Sequence, residues 1–200
     1  MHKTLIISII AAAGFSAQAD IVQVEEFDSL QFEGFNSLDM GTFERNPVEI
    51  FGGMGTLLNT NNSFLHTTGG WSYKNQSRAY EGSRLLGTSS GGVEYQFNIA
   101  QRSFGGFFST IDEIADGSVK FYNGNDLVGN EILNATAGGE WAWNGWSSES
   151  DFDRVVVESN STNKGFLMHD AIRVLSTQVP APGSLAIIAI GGLVATRRRR

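Results

Sequence analysis

The chain has 200 residues, a net charge of −7 and no cysteine. The absence of cysteine excludes disulfide bonds, cysteine nucleophiles, zinc–thiolate sites and iron–sulfur clusters, so stability depends on the apolar core. All 21 acidic residues lie within 20–178, which holds only nine basic residues, so this segment carries a charge near −12. That charge argues against binding to nucleic acid, which requires a basic surface.

The first nineteen residues have the pattern of an export signal. Met1-His2-Lys3 is a short basic start, 5–15 is apolar, and Ala17-Gln18-Ala19 has small residues at the two positions that signal peptidases read. We expect a signal peptide over 1–19 that forms a helix and is cleaved before Asp20. A retained N-terminal anchor is the alternative.

Residues 20–178 predict one all-β domain, a single antiparallel β-sandwich. Val93, Tyr95, Phe97 and Ile99 alternate with polar residues, as in a half-buried strand. Further strands are predicted at 102–110, 118–123, 126–133, 152–158 and 165–175, and turns at 116–117, 123–124, 138–139 and 159–160. The turn at 123–124 predicts a hairpin. The earlier half is less regular; 49–58 is interpreted as a strand, and 111–115 as a turn of helix.

The last twenty-two residues, 179–200, predict a membrane-directed tail. A hinge over 179–184 precedes the uncharged segment 185–196 and four terminal arginines, Arg197, Arg198, Arg199 and Arg200. Twelve helical residues span about 18 Å, and eighteen residues from 179 span about 27 Å, against a bilayer core of about 30 Å. We therefore expect a marginal C-terminal membrane helix with the arginines as a stop on the cytoplasmic side.

An export signal together with this tail resembles the bacterial PEP-CTERM proteins. Pro180, Ala181 and Pro182 match the sorting motif, with alanine where the family usually has glutamate, and Gly183 matches the small residue that follows. The resemblance implies that an exosortase-like enzyme cuts the tail and releases a transiently anchored protein to the cell surface or extracellular matrix. A plain tail anchor that is never cut is the alternative.

The second half of the body is also similar to ectodomains that precede such tails. The similar segments are 104–108, 119–124, 152–157 and 165–174, the last carrying Asp170 before its final apolar residues. The resemblance implies a jelly-roll, galactose-binding-like or carbohydrate-binding-module-like sandwich. It implies a fold and no particular ligand, because function depends on individual sites.

Tryptophans and acidic residues supply two candidate sites. Core packing is the interpretation we favour for the cluster of Trp141, Trp143 and Trp146, and for Trp71; if any binds a glycan, we expect Trp146, in a loop beside Gly145, with Trp143 next. Asp112, Glu113 and Asp116, or Asp151 and Asp153, offer oxygen ligands for a structural calcium ion, and a solvated acidic surface is the favoured alternative. No other cofactor is expected.

Catalytic signatures are weak in this sequence. His66 and His169 are the only histidines after the signal, Gly-x-Ser-x-Gly is absent, and His169 is interpreted as a strand residue. We therefore predict a non-enzymatic surface or matrix protein that contacts extracellular polysaccharide. The alternative is a secreted carbohydrate-active enzyme or lectin with paired carboxylates.

Overall fold

The computed structural model describes residues 21–39, 41–43, 47–60, 65–72, 76–88, 92–110, 116–159 and 167–176. Strands dominate these residues, and two single-turn 3-10 helices, Phe51–Gly53 and Ala137–Gly139, interrupt them. The strands are β1 Ile21–Gln23, β2 Gln31–Glu33, β3 Gly41–Phe43, β4 Val48–Ile50, β5 Gly55–Asn59, β6 Leu65–Thr68, β7 Gly70–Ser72, β8 Gln76–Arg78, β9 Leu85–Thr88, β10 Gly92–Thr110, β11 Asp116–Asn123, β12 Asp126–Asn134, β13 Ala142–Ser159 and β14 Leu167–Leu175.

Two long strands, β10 and β13, run antiparallel and organise the fold. Their pairing is irregular between Gln96 and Ser103 of β10. On one side of this irregularity β10 pairs with β5 and β13 with β11, whereas on the other side β10 pairs with β14 and β13 with β1. Because irregular pairing bends and twists strands, one pair of strands supplies the centre of two layers.

The two layers pack face to face around one core. The first layer has the order β12-β11-β13-β10-β5-β4, and the second has the order β1-β13-β10-β14-β9-β6-β3, with β2 also pairing with β14. Phe121 of the first layer contacts Phe104 and Trp146 of the second, with ring centroids 6.4 and 6.0 Å apart. The described residues therefore form an all-β, antiparallel two-layer arrangement, as the sequence predicts.

Local patterns predicted the most regular parts. Val93, Tyr95 and Phe97 are buried in the core. The hairpin is confirmed, since β11 and β12 pair up to Asn123 and Asp126 and the intervening Gly124 has φ of 58°.

Three local predictions are wrong. Gly117 lies within β11 rather than in a turn. Glycine fits this position because a Cβ would lie 2.8 Å from the carbonyl oxygen of Glu158. The segments predicted as separate strands at 93–99 and 102–110 form the single strand β10, which continues through its exposed bend. The strand predicted over 49–58 is broken by a 3-10 turn, in which Gly52 has φ of 65°.

The predicted export signal, the hinge, the membrane segment and the arginine stop all lie outside the described residues, as does the helical turn predicted at 111–115. Within the part of the chain that the structure describes, there is no helix of the length and hydropathy needed to cross a membrane.

Candidate functional site

Five aromatic side chains form a row on the face of the second layer that points away from the core. Tyr80 stacks on Phe107 with ring centroids 3.7 Å apart and planes inclined by 16°. Phe107 contacts Trp143 at 5.4 Å, and Trp143 contacts Phe27 at 5.5 Å. Trp141 lies at the other end, 6.3 Å from Tyr80. We call this row the aromatic strip.

The backbone of β10 turns Phe107 towards the strip. Phe104 and Phe108 belong to the core. Residues an odd number of positions apart in a strand project from opposite faces, so Phe107 points away from the face that carries Phe104 and Phe108. Phe107 consequently contacts Tyr80 and Trp143 rather than the core cluster.

Two facing glycines make room for the indole of Trp143. Gly105 and Gly145 are directly opposite each other in the β10–β13 ladder. A Cβ on Gly105 would lie 2.6 Å from Cζ2 of Trp143, and one on Gly145 would lie 2.7 Å from Nε1, so any side chain there would displace the ring. The indole Nε1 donates a hydrogen bond to the carbonyl oxygen of Val24 at 3.1 Å, and the guanidinium of Arg173 lies 5.6 Å from the ring. These contacts fix the orientation of Trp143.

Tyr80 is the most exposed member of the strip. One face of its ring covers Phe107, yet 46% of the surface of the residue remains exposed to solvent. Trp141 beside it is partly exposed, and its Nε1 donates to the carbonyl oxygen of Arg78 at 2.9 Å. An exposed aromatic ring next to a fixed indole is a platform for flat, weakly polar ligand surfaces.

The buried carboxylate of Asp170 holds the backbone that carries Tyr80. Oδ2 accepts hydrogen bonds from the amides of Tyr80 and Glu81, at 2.7 and 3.2 Å, and Oδ1 accepts from the amide of Ala171 at 2.7 Å. Burial raises the pKa of Asp170 from 3.8 to about 7, although the three N–H groups act in the opposite direction.

A cleft of about 370 Å³ opens beside Trp143. Its lining includes the exposed polar residues Gln23 and Glu25. The side chain of Asn144 is fixed in its wall, because Oδ1 accepts from the amide of Asn134 at 2.9 Å and Nδ2 donates to the carbonyl oxygen of the same residue at 3.1 Å. A recess with polar groups therefore lies beside the strip at Trp143.

A second cleft, of about 430 Å³, lies on the first layer, and its charged groups hold the β11–β12 turn. Arg154 forms an ion pair with Glu94 at 3.3 Å, donates to the carbonyl oxygen of Gly124 at 3.1 Å and lies over the ring of Tyr122. Asp153 accepts from the amide of Gly124 at 3.0 Å. The two carboxylates are thus engaged in structural contacts.

Inside the sandwich, a polar pair joins the two layers. The hydroxyl of Tyr95 and Nδ1 of His169 are 2.8 Å apart. Burial lowers the pKa of His169 to about 3 and raises that of Tyr95 well above 10, so both are neutral at ordinary pH. His169 is a residue of β14, as the sequence indicates, and its burial fits a structural role.

The structure corrects the placement of the candidate tryptophans. Trp146 lies in β13 and is fully buried, with its ring stacked on Phe104, so the favoured interpretation of core packing is confirmed for Trp146. Its alternative placement, in a loop as a glycan contact, is wrong. Trp143 lies on the strip and is partly exposed. Trp141 packs at the strip's edge against Leu85 and Met168. The side chain of Trp71 is outside the described part.

The acidic candidates are not brought together as a metal site in the described ranges. Asp112 and Glu113 lie outside them, and Asp116 begins β11 without a described side chain. Asp151 forms an ion pair with Arg102, and Asp153 holds the β11–β12 turn. Across the residues placed by the structure, no group of three or more histidine or carboxylate side chains is close enough to share a metal ion.

Sequence reasoning missed Tyr80, Phe107 and the role of Asp170. The spacing of Trp141 and Trp143, two residues apart, was the available signal for two members of the strip. Nothing in the local pattern around Tyr80 indicates that its ring reaches Phe107, because the contact depends on a backbone held by a residue ninety positions away.

No family model matches the chain, and no curated protein matches its sequence. Among solved structures, the K2 cleaved adhesin domain of Lys-gingipain is similar over 72% of this chain and 96% of that domain, with a TM-score of 0.50 and 12% identity. The CBM22-1 xylan-binding domain of Paenibacillus barcinonensis Xyn10C has a TM-score of 0.44 and 18% identity, covering 75% and 96% of the two chains. TmCBM61 in complex with β-1,4-galactotriose has a TM-score of 0.41 and 12% identity, covering 61% and 88%. The first of these shows a shared fold.

Proposed function

We propose that this chain is an exported, non-enzymatic surface protein whose sandwich binds extracellular polysaccharide through the aromatic strip. The observation that supports this proposal most directly is Tyr80, whose ring stacks on Phe107 while 46% of the residue remains exposed. Aromatic faces combine apolar area with rigid geometry, and the less polar faces of sugar rings pack against them. The support for this function comes from the strip itself and not from similarity to solved structures.

The charge of the body favours a neutral polymer. With a charge near −12 over 20–178, the domain repels polyanions and gains nothing from the field of an acidic glycan. Gln23 and Glu25, which line the cleft beside Trp143, supply hydrogen-bonding partners for sugar hydroxyls. Within this proposal the sandwich is of the jelly-roll, galactose-binding-like or carbohydrate-binding-module-like type.

Affinity electrophoresis of the full-length chain in mild detergent, through gels containing xylan, galactan, glucan or acidic alginate, tests the proposal. We expect retardation by at least one neutral polymer and none by alginate. Tyr80→Ala should weaken the affinity about tenfold, the loss expected for an anchoring aromatic residue. Tyr122→Ala, a tyrosine on the first layer, is the matched control and should bind as the wild type does. Equal retardation of both variants would contradict the proposed site.

The proposed absence of catalysis is supported by the state of the second cleft. Glu94 is paired with Arg154, and Asp153 accepts a backbone N–H group of the β11–β12 turn, so both carboxylates have a structural role. Incubation with the retained polymer should release no reducing ends. If the wild type releases reducing ends and Glu94→Gln or Asp153→Asn does not, the protein is a carbohydrate-active enzyme instead.

Export and sorting complete the proposal. We propose that 1–19 directs export, that 179–200 anchors the chain transiently, and that an exosortase-like enzyme cuts the tail before release to the surface. The supporting pattern is Pro180-Ala181-Pro182 ahead of an uncharged segment and four arginines. Mass spectrometry of native surface material should find chains ending near Pro182. Recovery of intact Arg200 there would favour an uncut anchor.

A further inference from the structure

The strip's exposed ring depends on a residue that a ligand cannot reach. Asp170 is fully buried, and Phe107 lies directly opposite it in the β10–β14 ladder. Side chains of directly opposed residues project from the same face of a sheet. Asp170 and Phe107 therefore stand side by side beneath the segment that carries Tyr80.

Each member of this pair holds a different part of Tyr80. The carboxylate of Asp170 accepts the backbone amide at 2.7 Å, while the ring of Phe107 stacks on the phenol at 3.7 Å. The amide of Glu81 adds a second bond to the same carboxylate oxygen. A backbone bond fixes where the segment lies, and the stacking fixes which way the ring faces.

We infer that Asp170 is a positioning residue for polysaccharide binding, which acts by holding the backbone of Tyr80 so that the phenol ring lies on Phe107 and stays exposed. The inference rests on the proposed function of the strip. It adds a part that the ligand does not touch, because a tyrosine on an unheld segment would have to lose conformational freedom on binding.

Protonation of Asp170 should release the segment. A protonated carboxyl has one acceptor oxygen fewer for the amides of Tyr80, Glu81 and Ala171. Glu81 on the same segment and Tyr95 on β10 interact with it electrostatically, and His169, its neighbour along β14, has its side chain in the core beside Tyr95. His169 and Tyr95 are neutral from pH 5 to 9 because of burial, so Asp170 and Glu81 are the groups to separate by mutation.

The first test is a double-mutant cycle on affinity for the neutral polymer that retards the wild type most. At pH 8.5, Asp170→Asn should weaken binding about tenfold, because an amide offers one acceptor oxygen and an N–H pair that repels one of the backbone amides. In the Tyr80→Ala background the same substitution should have no further effect, since the ring it positions is gone. An equal loss in both backgrounds would overturn the inference.

The second test separates positioning from folding. Wild-type affinity should fall about fivefold or more between pH 8.5 and pH 5.5, whereas Asp170→Asn should show a flat profile and Glu81→Gln should retain the wild-type slope. Hydrogen exchange read at the amides of Tyr80 and Glu81 should accelerate in Asp170→Asn without ligand. Slow exchange there, with wild-type affinity, would refute the inference while leaving the strip intact. A wild type that binds no polymer would instead refute the proposed function.

Discussion

Replacing Asp170 by asparagine should change how stability depends on pH. The carboxyl has a pKa of about 7 in the folded protein against 3.8 ordinarily, so the folded state holds the proton more tightly. Protonation of Asp170 therefore stabilises the folded state, and this stabilisation is fully present below pH 3.8 and is lost as pH rises through 7. Between pH 8 and pH 5, the wild type should gain about 3 kcal/mol of unfolding free energy relative to Asp170→Asn, at about 1.4 kcal/mol per pH unit below pH 7.

Urea denaturation of both proteins at half-unit intervals from pH 5 to pH 8 measures this difference. Subtracting the two curves cancels other titrating groups, which the two proteins share. Lower pH should raise the free energy of unfolding but lower the affinity for polymer. Protonation of Asp170 removes a buried charge, which stabilises the fold, and weakens the hydrogen bond to the amide of Tyr80. A difference that is flat with pH, or that grows as pH rises, would refute the assignment of a raised pKa to Asp170.

Three further predictions concern other parts of the molecule. Gly105→Ala should weaken polymer binding about tenfold and lower the melting temperature by several degrees in a thermal scan, because its Cβ would lie 2.6 Å from the Trp143 indole; unchanged values would contradict the described ring position. Tyr95→Phe should cost about 1–3 kcal/mol in urea denaturation, since Nδ1 of His169 loses its buried partner, and an equally stable variant would show that the pair is dispensable. EDTA should leave the melting temperature unchanged if the acidic residues of 112–116 are solvated, whereas a fall reversed by calcium would establish the metal site.

The alternation of apolar residues and the turn residues predicted those parts of the fold in which local sequence preference and tertiary packing favour the same structure. Val93 to Phe97 alternates because one face of β10 is core and the other is exposed. The turn at Asn123 and Gly124 joins two paired strands because glycine adopts the positive φ that a tight hairpin needs.

The remainder depends on packing between distant segments. Gly117 resembles a turn residue in the sequence, yet it is a strand residue that neighbouring strands approach closely. The continuity of β10 through polar residues, and the meeting of Tyr80 with Phe107, both follow from sheet register. Register depends on partners elsewhere in the chain, so no local window contains it.

The two tryptophans of β13 show how one misplaced boundary changed the candidate site. Trp143 and Trp146 are three positions apart, so in a continuous strand they project from opposite faces. Treating Gly145 as a loop residue removed that constraint and made Trp146 the candidate. Gly145 is instead a strand residue, kept small beneath the Trp143 indole, so the strand continues and sends Trp146 into the core. Gly145 therefore both makes room for Trp143 on the strip and allows the strand to place Trp146 in the core. Substitution of Trp146 should lower stability, whereas loss of the Tyr80 ring should affect binding alone.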